Sequence, residues 1–210
     1  MRLDKNMRVF GLIMMALCLQ TAGCGPMPGE KELVDVQAEY LGLADQRIAI
    51  MVAADSHMQY QYPEARDSVC RAFTARIARN VSGVTTTIPD EISQFQEDNP
   101  YWINMRYGEL AKQLDVDMIV IVDLIEYQTH EPGNAHIWQG LITGNIGVID
   151  AHSVDPDNFV FQNTVTAKFP EESTVGIIDS DDDTIQLGMV TLFSRSGAGL
   201  FYDHQIEIDK

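Results

Sequence analysis

Two long apolar runs predict strands that are buried on both faces of a sheet. They are Ile48 to Ala54 and Met118 to Tyr127, and both are rich in β-branched residues. Helical spacing from Tyr107 to Leu114 comes just before the second run, separated from it by a three-residue turn. This order is typical of half a βαβ unit.

Apolar residues recur every four positions from Ala65 to Val81, which predicts an amphipathic helix over Glu64 to Val81. A second helix is predicted from about Thr184 to Phe201, since the aspartates before it favour the positive end of a helix. Those aspartates also suggest a calcium loop, but Thr184 and Val190 stand where an EF-hand needs Gly and Glu. A further helix is predicted to start at Pro100.

Strand periodicity predicts an antiparallel hairpin formed by Ile137 to Ile149, which is interrupted by glycines, and Phe159 to Phe169, where apolar and polar residues alternate clearly. Val84 to Ile88 is predicted to be a short edge strand, while residues 30–47 fit either a strand or a short helix. The predicted fold class is therefore α/β (α+β). It has one mixed sheet of about five strands, with amphipathic helices packed on it, in a single domain over residues 47–210.

The amino terminus has the pattern of a secretory signal. Basic residues precede an eleven-residue apolar run from Val9 to Leu19, which is too short to span a bilayer. The Ala22, Gly23 and Cys24 that follow resemble the lipobox of bacterial lipoproteins, although Thr21 stands where that family usually has Leu. The resemblance implies cleavage after Gly23 and acylation of Cys24, with residues 1–23 removed. Ordinary secretory cleavage, with Cys24 an incidental thiol, is the alternative.

If Cys24 carries lipid, residues 24–46 are a tether and the acyl chains hold the protein on a membrane. By the same resemblance, Gly25 rather than Asp after the cysteine implies the outer membrane, facing the periplasm. Cys70 then remains without an intramolecular disulfide partner. The net charge of −17 argues against nucleic acid as a partner.

Several residues are candidates for chemistry or binding. Asp55 and His57 follow a predicted strand, where sites often form, although a polar loop is the simpler interpretation. Arg66 and Arg71 belong to a basic cluster that either meets an acidic partner or pairs with nearby carboxylates. Tyr101 and Trp102 are either a binding patch or core packing. No catalytic signature, metal-ligand spacing or cofactor motif is present in the sequence.

The strand at Ile48 to Val52, the helix at Glu64 to Val81 and the segment Gly108 to Leu124 together resemble the fold of three envelope families. These are the TolB amino-terminal domain, the curli-secretion lipoproteins and the lipoprotein activators of penicillin-binding proteins. The resemblance implies a non-enzymatic accessory or assembly module that binds an envelope protein. A subunit of an envelope secretion or transport complex is one alternative, self-association into a homo-oligomer is left open, and a hydrolase with a site near Asp55 and His57 is the other alternative.

Overall fold

The structure is a computed structural model that describes residues 31–131, 133–171 and 176–209. Its strands are β1 (Lys31–Val36), β2 (Arg47–Ala54), β3 (Thr85–Thr86), β4 (Met118–Glu131), β5 (Asn134–Asp150), β6 (Phe159–Phe169) and β7 (His204–Asp209). Its helices are α1 (Ser56–Gln61), α2 (Ala65–Asn80), α3 (Pro89–Asp98), α4 (Tyr107–Leu114) and α5 (Asp182–Gly199), with a 3-10 turn at Trp102–Asn104.

Contacts divide the described chain into two units. Residues 36–204 form the larger unit, and residues 31–35 with 205–209 form a ribbon in which β1 pairs with β7. Within the ribbon, the Gln205 side-chain amide donates to the Asp35 carboxylate at 2.8 Å. Residues 30–47 were open to either a strand or a helix, and the structure places strand β1 there.

The larger unit contains a five-stranded mixed sheet in the order β3-β2-β4-β5-β6. β2 runs parallel to β3 and β4, whereas β4, β5 and β6 are antiparallel neighbours. The mixed α/β sheet with packed helices is therefore confirmed, as is the hairpin of β5 and β6. Helices α2 and α5 pack on each other and on one face of this sheet, where Phe73 and Phe193 lie with ring centroids 5.6 Å apart.

A group of ion pairs joins the amino-terminal ends of the two central strands. Arg47 begins β2, and its backbone N–H donates to the Asp117 carboxylate at 3.0 Å while its side chain contacts Asp115 and Asp117. His152, in the turn after β5, contacts the other Asp117 oxygen at 3.2 Å. The pKa of Asp117 is lowered to about 2, chiefly by hydrogen bonds from Arg47 and also by the bond from His152.

Helix α3 was not predicted from the sequence. The predicted edge strand ends at Ile88, and Pro89 directly after it begins α3, where its fixed φ is favourable and where Asp90 and Glu91 meet the positive helix end. The helix predicted to start at Pro100 was wrong, because only the 3-10 turn at Trp102–Asn104 forms there. Strand β7 was also missed.

Candidate functional site

The predicted lipidation residue Cys24 and cleavage residue Gly23 lie outside the described residues, as does the rest of the signal peptide. Residues 31–46 of the predicted tether are described and contain β1 and a turn. Among the described residues, none of the helices is both long enough and apolar enough to cross a bilayer.

The arginines singled out as partner-binding residues make ion pairs within the chain. Arg66 Nε lies 3.3 Å from Asp67, and Arg71 Nε lies 3.5 Å from Asp90 on α3. Such exposed or half-exposed pairs contribute little stability and can exchange partners. Binding of a partner by this surface remains a prediction.

The two aromatic candidates are exposed to solvent to different degrees. Tyr101 is 78% exposed, whereas Trp102 is 7% exposed and belongs to the hydrophobic core. The structure therefore does not present them as one aromatic patch. Trp102 packs as a core residue and Tyr101 alone is accessible for a partner.

Asp55 and His57 lie together at a concave surface. Asp55 is the N-cap of α1, where its carboxylate accepts from the Met58 backbone N–H at 2.7 Å, and His57 is exposed on the first turn. A cleft of about 380 Å³ opens here at the carboxyl end of β2. Its lining residues are Asp55, His57, Met58, Gln61, Tyr62, Ile125, Glu126, Tyr127, Gln128 and His130.

A second cleft of about 590 Å³ adjoins the first, because Gln61, Tyr62 and Tyr127 line both. Its other walls come from the start of α2 and from the first two turns of α5. The remaining lining residues are Pro63, Glu64, Ser68, Asp182, Asp183, Gln186, Leu187 and Val190. Both volumes lie within the range typical of ligand-binding clefts.

A pair of tyrosines forms the wall shared by the two clefts. The ring centroids of Tyr62 and Tyr127 are 4.8 Å apart. The Tyr127 hydroxyl donates to the Gln186 side-chain carbonyl at 3.0 Å, and the amide of that glutamine donates to the Asp182 carboxylate. Burial first, and the charge of Asp182 second, raise the pKa of Tyr127, so its phenol stays protonated and can donate this hydrogen bond.

A β-bulge in β4 brings Tyr127 to this wall. Leu124 lies opposite Gly144 and Tyr127 lies opposite Ile142, so Ile125 is an extra residue between the paired positions. Leu124 and Tyr127 are three positions apart, so in a regular strand their side chains would lie on opposite faces of the sheet. The extra residue places both side chains on the same face. The sequence does not mark this change, because the apolar run that begins at Met118 has no alternation that a bulge could interrupt.

The clefts are lined by acidic residues without basic partners. Five carboxylates line them, and no lysine or arginine is among the described residues that do so. The five are Asp55, Glu64, Glu126, Asp182 and Asp183. Glu126 accepts from the Gln128 amide at 2.8 Å, but none of the five takes part in an ion pair among the described residues. The surface is therefore suited to a cationic group.

The geometry of the clefts can be compared with the requirements of a metal site and of a hydrolase site. Within the described ranges, no group of three His, Cys, Asp or Glu side chains is arranged to hold a metal ion. A hydrolase site near Asp55 and His57 requires a concave surface, which is present. However, no hydrogen bond among the described residues joins these two side chains. The lining of that cleft also lacks Ser, Thr, Cys and Lys, which are common nucleophiles.

No protein-family model matches this chain, and no curated protein sequence matches it. Solved structures with a matching fold include the PelC dodecamer from Paraburkholderia phytofirmans, at 11% identity and a TM-score of 0.49, covering 82% of this chain and 99% of PelC. The lipoprotein GNA1162 from Neisseria meningitidis matches at 9% identity and a TM-score of 0.47, covering 67% of this chain and 90% of that protein.

TolB, which the sequence resembles in part, is also among the matching structures. The TolB of Acinetobacter baumannii is 10% identical with a TM-score of 0.28, and the match covers 81% of this chain and 31% of TolB. Bacterial lipoproteins and TolB are thus among the solved structures that match this chain. Similarity at these levels does not carry a function from one protein to another.

Proposed function

We propose that this chain is a membrane-anchored lipoprotein of the bacterial cell envelope that acts as a non-enzymatic accessory or assembly module by binding another envelope protein. The observation that carries the proposal is the sequence Ala22-Gly23-Cys24 directly after a short apolar run with basic residues before it. Acyl chains on Cys24 would each contribute about 0.8 kcal/mol per buried CH₂, so two or three chains anchor a protein stably.

The described part of the chain supports a binding role. Its larger unit presents two adjoining clefts with a rigid aromatic wall, and a fixed concave surface loses little conformational entropy when a partner docks. The Gly25 that follows the cysteine favours the outer membrane, facing the periplasm, as the location.

Metabolic labelling with an alkyne analogue of palmitate tests the anchor. The wild-type chain should be labelled and should fractionate with the outer membrane, while Cys24→Ala should lose both properties. Cys18→Ala and Cys70→Ala are matched controls, because each removes a cysteine that the proposal leaves unacylated. Label that persists in Cys24→Ala would overturn the lipidation.

Crosslinking in the native envelope tests the interaction role. The wild-type chain should capture one defined protein, and the yield should fall sharply for Cys24→Ala, which is released from the membrane. Capture of nothing but further copies of the chain, unchanged by Cys24→Ala, would overturn the accessory role and favour self-association.

A further inference from the structure

We infer, building on the proposed function, that the two clefts beside Tyr62 and Tyr127 bind a basic segment of the partner protein, with arginine side chains as the preferred occupants. The supporting features are the concavity of the site, its uncompensated charge and its aromatic wall. Each restricts the class of ligand further.

The shape of the two clefts favours an extended peptide with protruding side chains. The clefts of about 380 and 590 Å³ adjoin each other, since Gln61, Tyr62 and Tyr127 line both, so one polypeptide segment can place a side chain in each. Glu64 and Asp183 line only the larger cleft, and Asp55 and Glu126 line only the smaller one. Each side chain of such a segment would therefore meet two or more carboxylates.

The charge selects a cation. Some carboxylates elsewhere in the described chain are paired with arginines, as in Arg106 with Asp157 at 2.8 Å and Arg195 with Glu171 at 2.6 Å. Among the described residues, the cleft carboxylates have no such partner, and the chain as a whole carries a net charge of −17 that attracts basic segments from a distance. A basic segment would supply the missing countercharge.

The aromatic wall selects arginine over lysine. Tyr62 is half-buried against Tyr127, so one face of a tyrosine ring is already fixed in place beside the carboxylates. A guanidinium group stacks on an aromatic face while its N–H groups bind a carboxylate in two places, and an ammonium group cannot do both. The neutral Tyr127 phenol and its bond to Gln186 keep this wall in one arrangement.

The test uses the full lipidated chain in a nonionic detergent. Fluorescence anisotropy measures its binding to blocked, labelled peptides of six arginines, six lysines or six citrullines. The salt concentration is about 0.15 M, at which attraction between surface charges is screened beyond about 8 Å. The arginine peptide should bind saturably and more tightly than the lysine peptide. Citrulline, which has nearly the same shape without the charge, should not bind. Equal binding of arginine and citrulline peptides would overturn the inference.

Two double variants separate the clefts from the overall charge. Glu64→Gln with Asp183→Asn removes two cleft carboxylates and should weaken binding of the arginine peptide about tenfold or more. Glu91→Gln with Glu97→Gln removes two exposed carboxylates from α3 and should weaken it by less than about threefold, as expected for screened surface charges. An equal loss of affinity in the two double variants would show that peptide binding depends only on the net charge of the protein.

A third variant isolates the aromatic wall. Tyr62→Leu keeps an apolar side chain but removes the ring face, so it should reduce the preference for arginine over lysine about threefold or more. An unchanged preference would overturn the role of Tyr62. Thermal unfolding of each variant checks that the chain is folded, and Glu64→Gln alone serves if Asp183→Asn destabilises α5.

The outcomes are independent of the membrane anchor. Loss of palmitate labelling with intact peptide binding would overturn the anchor alone. Intact labelling with no saturable peptide binding would overturn the role of the clefts and leave the accessory function to another surface.

Discussion

Replacement of Gly144 by alanine should destabilise the core, because α5 leaves no space for a side chain at that position. A Cβ added at Gly144 would lie 2.9 Å from Phe193 Cζ and 3.2 Å from the Asp123 backbone oxygen. Phe193 is fully buried and packs against Phe73 on α2, so its ring cannot swing out into solvent.

The magnitude follows from this crowding. Insertion of a methyl group into a closely packed core costs about 1–3 kcal/mol. Phe193→Leu alone should also destabilise, since it loses an aromatic contact worth about 0.5–1.5 kcal/mol and the transfer energy of the missing ring atoms. In the double variant the shorter leucine leaves room for the new methyl group. The combined cost should therefore be smaller than the sum of the two single costs by about 1 kcal/mol.

Urea unfolding followed by tryptophan fluorescence measures the free energies for this double-mutant cycle. Gly140→Ala is the matched control, because its added Cβ would approach Met189 and Ile185 rather than Phe193. Phe193→Leu should leave the cost of Gly140→Ala unchanged. Simple additivity, within about 0.5 kcal/mol, for the pair of Gly144 and Phe193 would refute the proposed contact.

Two further predictions concern ionisable groups. Because the pKa of Asp117 is about 2 in the folded chain and 3.8 in its ordinary state, its carboxylate stabilises the fold above about pH 4 and loses that effect as the pH falls towards 2. Asp117→Asn should therefore lower the urea midpoint at pH 7 and flatten the fall in stability between pH 4 and 2. Asp115→Asn should have the smaller effect, because the Asp115 carboxylate pairs with Arg47 but, among the described residues, not with His152. Equal effects of the two variants would contradict this role. Burial raises the pKa of Cys70 to about 11, and its thiol donates to the Ile50 carbonyl at 3.2 Å. Alkylation of Cys70 by iodoacetamide at pH 8 should therefore be rapid only after the chain unfolds. Mass spectrometry of the peptide that contains Cys70 measures the extent of alkylation. Rapid alkylation of the native chain would contradict that burial.

The elements predicted well from the sequence are those with an uninterrupted pattern. The helix predicted over Glu64 to Val81 is α2 (Ala65–Asn80), and the run from Ile48 to Ala54 is β2 with one more residue at its start. The hairpin strand Phe159 to Phe169 matches β6 at both ends. In α2 and β6 one buried face is visible as periodicity, and in β2 burial of both faces is visible as an uninterrupted apolar run.

The elements that were missed have short or mixed patterns. In α3 only Ile92 and Gln96 are buried. The polar side chain of Gln96 can be buried because its amide donates to the Val52 carbonyl at 3.0 Å. A core glutamine does not register as part of an apolar stripe. Strand β7 has only six residues and exposes Ile206 and Ile208, so its partner β1 determines it rather than its own pattern.

The clefts were partly predicted. Asp55 and His57 were considered as site residues because they follow a strand, although a polar loop was the simpler interpretation, and they do line a cleft. The aspartates before α5 were expected to favour the helix end, and Asp181 does cap it by accepting from the Thr184 N–H at 2.8 Å. The sequence could not show that Asp182 and Asp183 line the same cleft as Tyr62, the C-cap residue of α1, because that proximity depends on the packing of α5 over a sheet with a bulge in β4.

The acidic residues of this chain therefore have two different roles at the two ends of the central strands. At the amino-terminal ends of β2 and β4, the carboxylates of Asp115 and Asp117 are neutralised by Arg47 and hold the strands together. At the carboxyl end of β2, Asp55 lines a cleft that contains no lysine or arginine among its described lining residues. Ligands of parallel sheets usually bind at that end, since loops diverge there and leave a crevice. If the acidic residues served only solubility, the amino-terminal and carboxyl ends of these strands would not need to differ in the pairing of their carboxylates. The contrast favours recognition, and the comparison of the cleft and α3 double variants decides between the two explanations.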